Sequence, residues 1–161
     1  MSETTNFHSV ISKLLGGQRI ATLATVDDDG LPHASLVPFA LLREQASLLI
    51  HVSALAPHFG YLKRQLQAAV LISKPETAGE QVHALPRLSI QADIEFIDRQ
   101  SPDYAPARDA YVQRFPEAGF MTDLQDFAFV KIKPLSGRVV AGFGAARKLD
   151  QASLQAAIET S

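Results

Sequence analysis

The sequence predicts a mainly β (α+β) fold: an antiparallel barrel of six to seven strands with short peripheral helices. Three observations predict it. Apolar runs of strand length recur between turns rich in Gly, Pro and Asp. One of them, 87–97, alternates apolar Leu88, Ile90, Ala92, Ile94 and Phe96 with polar Ser89, Gln91, Asp93 and Glu95, as a strand buried on one face does. The order of these runs has no strand–helix–strand rhythm of the sort that builds a parallel sheet.

The elements follow in chain order. Phe7, Val10, Ile11, Leu14 and Leu15 recur at helical spacing and Gly16-Gly17 follows as a stop, which predicts a helix over 6–15. The run RIATLATV at 19–26, the turn DDDG at 27–30 and the run PHASLVPFALL at 32–42 read as a hairpin, because Asp-Gly between apolar strands favours a tight turn. A polar turn at 43–46 leads to a third strand, SLLIHVS, at 47–53, and the three are expected to form a meander. Pro57 opens a helix with Phe59, Leu62 and Leu66 on one side, and AAVLIS at 68–73 is a fourth strand. A flexible loop is expected at 74–85, the alternating strand at 87–97 and a helix at 103–114 that Phe115-Pro116 ends. DFAFVKIKP at 126–134 and SGRVVAGFG at 136–144 read as two strands parted by a short turn at Pro134, with a last helix capped by Asp150.

Composition narrows the classes of function. A chain of 161 residues is expected to form one domain, 1–161, with its core at about 19–149. There is no cysteine, which removes disulfides, thiolate nucleophiles and iron–sulfur ligation. Lys+Arg 15 against Asp+Glu 17, without a basic run, lacks the footprint of a nucleic-acid binder. No apolar stretch reaches the roughly 20 residues of a membrane helix, and MSETTNFHSV is not a signal sequence, so a cytoplasmic location is expected. With no Trp and three Tyr, a planar ligand would be held mostly by backbone and small side chains.

Familiar catalytic and nucleotide motifs are absent. GFGAA at 142–146 lacks the strand–helix context of a dinucleotide loop and reads as a glycine-permitted bend at the end of a barrel strand. The histidines, His8, His33, His51, His58 and His83, are not spaced as metal ligands on one helix, and no metal site is expected. His58 follows Pro57 at a helix start, where free backbone N–H groups favour an anion, and Ser53 lies just upstream. That pair reads either as a phosphate cradle or as capping and surface residues. Arg87, approached through Pro86, can hold phosphate bidentately or stand as a solvated strand-end charge. Ser35 is small enough to let a ligand approach mid-strand.

The ordered series ATLATVDDDGLPHASLVPFA (21–40), LLIHVSALAPHFGYL (48–62), QLQAAVLI (65–72) and LPRLSIQADIEFI (85–97) resembles the FMN-binding split-barrel superfamily of pyridoxamine 5'-phosphate oxidase. Within it the chain is most similar to the heme-utilisation branch, in which a GFG near the barrel's end, here 142–144, is typical. The resemblance implies a split barrel acting as a homodimer with FMN at the subunit interface, and an FMN-dependent oxidoreductase acting on a small molecule. By matched position it implies cofactor contacts at Ser35, Val37 and Pro38, at His51, Val52 and Ser53, at His58, and at Arg87 and Leu88. No catalytic acid or base is assigned; His51 is the nearest candidate.

Where the branch carries Thr, Arg and Asn after the basic position, this chain has Phe59, Gly60 and Tyr61, which removes charge-assisted bonds to a phosphate. Two alternatives stand beside the flavoprotein. One is a heme-binding or heme-utilisation protein with His33, His51, His58 or His83 on iron; the other is a cofactor-free dimeric binding protein on the same fold.

Overall fold

The computed structural model describes residues 6–161. Among these residues eight strands form one antiparallel sheet: β1 (Ile20–Val26), β2 (Pro32–Pro38), β3 (Ala40–Leu42), β4 (Ser47–Ser53), β5 (Gln67–Ser73), β6 (Arg87–Ile97), β7 (Phe127–Gly142) and β8 (Ala145–Leu149). Four helices lie around it: α1 (Phe7–Gly17), α2 (Pro57–Arg64), α3 (Tyr104–Arg114) and α4 (Gln151–Thr160). The strand order is β2-β1-β5-β6-β7-β4-β3, with β8 paired to β7. β2 and β3 stand at opposite ends of that order, yet Phe39 alone joins them. A sheet whose two end strands are one residue apart in the chain must curl, and this one curls into a split barrel.

The local chemistry of the turns and caps matches the elements they bound. Asn6 caps α1 by accepting from the Ser9 N–H at 3.0 Å, and Asp150 caps α4 by accepting from the Ser153 N–H at 2.8 Å. In the β1–β2 turn the Asp27 carboxylate accepts from the N–H groups of Asp29 and Leu31 at 2.9 and 2.8 Å. Gly30 there takes φ +80°, which suits a residue without a side chain.

Four expectations need correction. The 32–42 run is two strands, because Pro38 has no N–H to give a ladder and the chain bends at buried Phe39, whose own N–H donates to the Arg19 carbonyl at 3.0 Å. The first three strand runs consequently form no meander: β4 pairs with β3 and β7, not with β2. Pro134 makes no turn either. β7 runs through it, and the register against β6 slips at Gln91/Ala92, where Leu135 is the extra residue of a bulge. The hairpin falls instead at Gly142–Ala145, with Gly144 at φ +73°, and leads to the unforeseen β8. α2 stops at Arg64, so Leu66 is exposed and off the helix. Beyond α3, Pro116–Asp123 forms 3-10 turns that periodicity did not show.

The core has two parts. Inside the barrel, Leu23, Val37, Ile50, Val52, Val70, Ile90 and Val130 pack with α1 and α4 residues such as Leu15 and Leu154. On the other side of β4 and β7, Leu49, Phe129 and Ile97 pack with Tyr111 and Phe115 around α3. β4 is thus buried on both faces. No described helix is long and apolar enough to cross a membrane.

Candidate functional site

Alternation along β2 places His33, Ser35 and Val37 on the inner side and leaves Ala34, Leu36 and Pro38 exposed. Pro57 at the first turn of α2 brings His58 over that inner side. Ser35 Oγ lies 3.1 Å from His58 Nδ1. His33 completes the cluster: its ring meets Tyr61 edge-on at 5.2 Å, and its buried Nδ1 has no partner among the described residues. Burial, and then the charge of nearby His33, lowers the pKa of His58, so its ring is neutral at neutral pH.

Ser53 ends β4 and shapes the turn into α2: its hydroxyl accepts from Leu55 N–H at 3.2 Å, and its carbonyl from Ala56 N–H at 3.0 Å. Val37 and Val52 are buried with the barrel core, as is Leu88. His51 points the other way. Its ring sits 4.4 Å from Phe129, 4.9 Å from Phe127 and 5.4 Å from Tyr111, and neither nitrogen has a partner among the described residues. Burial, helped by the Arg99 charge, pushes its pKa down to about 4. Arg87 heads β6 on the outer side, where its guanidinium donates to the Leu85 carbonyl at 3.0 Å and the His83 carbonyl at 3.4 Å.

Within one chain, then, Ser35 and His58 meet, Ser53 stands at the helix entrance, and Arg87 and Pro38 lie on the opposite face of the sheet. His33 joins the cluster through the period-2 pattern of β2, a signal present in the sequence. The fit to the groups implied by resemblance differs. The pair carries no fixed cation, which a flavin phosphate wants; neutral imidazole is the form in which histidine ligates iron.

The outer face has its own pattern. One row of cross-strand partners runs Leu36, Thr22, Leu71, Ser89, Arg138, Lys148 over six strands. Its β2 end is apolar and open to solvent: Leu36 is 65% exposed, and nearby Ile20 50%.

An antiparallel sheet curled into a split barrel, with short helices around it and a histidine-bearing inner edge, defines an α+β split-barrel protein. The chain belongs to the pyridoxamine 5'-phosphate oxidase family, which it matches over residues 7–141. It is 31% identical over 125 residues to a Vibrio cholerae protein named heme oxygenase HutZ, covering 77% of this chain and 70% of that protein. The crystal structure of HutZ, described as the heme storage protein of Vibrio cholerae, superposes with TM-score 0.73 at 26% identity, over 81% of this chain and 91% of the other. A heme-binding protein from Mycobacterium smegmatis shares the fold with TM-score 0.84 at 23% identity; 96% of this chain covers 62% of that one. The chain thus spans less than two thirds of the mycobacterial protein's length.

Proposed function

We propose that this protein binds heme, as a homodimer, with the iron taken by an imidazole of the His33–His58 cluster. The observation that carries the reading is the neutral His58, 3.1 Å from Ser35 Oγ and beside His33, whose Nδ1 is buried without a partner among the described residues. Likeness to HutZ, whose names describe a heme oxygenase and a heme storage protein, supports it. Bound heme would supply the iron chemistry, tuned by its axial ligand. Ser35 would orient the His58 ring through Nδ1, and Tyr61 would back His33. His51 is set aside as a ligand because aromatic rings enclose it. The homodimer reading rests on the exposed aliphatic patch of Ile20, Leu36 and Leu71, an apolar outer face of the kind that marks association.

A second reading, an FMN-dependent oxidoreductase, keeps one observation in its favour. Ser35 and His58, two positions that the resemblance marks for the flavin, converge.

Hemin titration separates the two. The wild-type protein should develop a Soret band, and His33→Ala or His58→Ala should shift that band and weaken binding by about tenfold or more. If both variants bind with an unchanged band and affinity, the histidine reading fails. Protein that purifies yellow, or that quenches FMN fluorescence at micromolar concentration, would favour the flavin instead.

A further inference from the structure

We propose that the hollow between α1, β3 and α3 is a binding site for a small dianion, a phosphate group or a short dicarboxylate, gripped by the guanidinium groups of Arg43 and Arg114. The site shares no residue with the His33–His58 cluster and does not depend on the heme reading. The cavity measures about 220 Å³, space for roughly seven waters at their liquid volume. Leu15, Phe39 and Leu41 form its apolar wall; Arg43, Gln113 and Arg114 form its polar side. None of its lining side chains is acidic. Glu44 and Asp109 line an adjoining hollow that shares Leu41, Arg43, Ala110 and Gln113 with this one.

Three observations converge on an anion. The first is preorganisation. Arg114 is pinned by the last turn of α1: its two terminal nitrogens donate to the Gly16 carbonyl at 3.0 Å and the Gln18 carbonyl at 2.6 Å. Those carbonyls lack helix partners, so the guanidinium is held where α1 ends. A guanidinium has five N–H donors, and these two bonds leave others free.

The second is an excess of positive charge. Arg19, Arg43 and Arg114 stand close enough together that, after burial, the charges of the other two are what make Arg114 less basic. Against them stand Glu117, which is engaged with Arg19 at 2.9 Å, and the terminal oxygen of Ser161, which meets Arg43. Arg43 donates through Nε to the terminal oxygen of Ser161, the last residue of the sequence, which leaves its fork of terminal nitrogens available. Guanidinium groups that crowd one another cost free energy that a bound dianion offsets.

The third is the mixed wall. Paired guanidiniums recognise two oxygens of a phosphate or carboxylate bidentately, the Gln113 amide adds a donor, and Leu15, Phe39 and Leu41 leave an apolar side for a short carbon chain.

The test uses the full chain at pH 7.5 and constant ionic strength, with melting temperature and calorimetry as readouts. Inorganic phosphate and succinate are compared with acetate and chloride. One or both dianions should raise the melting temperature with the logarithm of concentration and give a single-site isotherm; which of them binds tighter identifies the source. Arg43→Gln should weaken that binding by about tenfold or more. Gln113→Leu, which leaves both guanidiniums and the α1 clamp intact, should weaken it less. In a two-dimensional NMR titration the amides around residues 40–43 and 110–114 should move. The proposal is overturned if the dianions act no differently from chloride, or if Arg43→Gln and Gln113→Leu both respond as the wild type does.

Discussion

His51 is a neutral ring in a place where a charged one is costly. Phe127, Phe129 and Tyr111 surround it, and its pKa falls to about 4 in the fold from an ordinary 6.5. Because the folded value is depressed, the unfolded chain binds the extra proton first as pH drops. Stability is therefore whole above pH 6.5, declines through the window down to about pH 4 and levels off below it. The full loss corresponds to about 3 kcal/mol. Urea midpoints measured from pH 7 to pH 4 should show this slope, and His51→Leu should flatten it. A wild-type slope that survives the substitution would assign it elsewhere. The strand that carries His51 was legible in SLLIHVS, but its facing was not. Polar alternation is what reveals a face, and β4 has none because both its sides are buried.

At the scale of elements, the pairing of β6 with β7 shows where a strand tolerates irregularity and where it does not. The bulge at Leu135 lets Pro134 sit in the sheet without a ladder donor. Just past it, Gly137 lies so close to β6 that a Cβ there would meet the Ser89 carbonyl oxygen at 2.5 Å and a Leu154 methyl at 3.3 Å. Gly137→Ala must therefore push apart two central strands, and should lower stability by about 1–3 kcal/mol. Chemical denaturation of the purified variant checks this; an unchanged midpoint would show that the strands part freely.

The same stretch marks the limit of sequence reading. Proline between two β-rich runs looks like a turn, since its missing N–H and fixed φ are the usual signs of one. Whether a partner strand can absorb an extra residue beside it depends on contacts more than 40 positions away, as Gln91 opposite Ser136 illustrates. Strand existence and the cap at Asp150 are local properties, and these could be read. So could the approach of His58 to a helix start. Its meeting with Ser35, 23 positions earlier, is a product of the fold.

For the whole molecule, the two faces of the sheet differ in chemistry. The inner edge gathers His33, Ser35 and His58; the outer face carries the row from Leu36 to Lys148. If the outer face is where two copies meet, light scattering should report twice the 17.5 kDa chain mass. Leu36→Glu combined with Leu71→Glu should then return the protein to a single-chain species while leaving its far-ultraviolet circular dichroism unchanged, because both side chains point away from the core. A wild-type mass of one chain would contradict the dimer. A double variant that stays dimeric would place the interface on another surface.

Phe39, the one residue between β2 and β3, also orders events in time. β2 can zip to β1 and β3 to β4 as soon as each hairpin has been synthesised. Nothing joins the two hairpins edge to edge until β5, β6 and β7 have arrived, because β7 is the strand that β4 needs. A growing chain that has emerged only as far as Ser53 therefore holds two hairpins hinged at one aromatic residue, with their apolar sides uncovered. Closure waits on sequence-distant pairing, the slow kind of strand assembly. During translation this protein is consequently most exposed to aggregation between the completion of β4 and the appearance of Phe127.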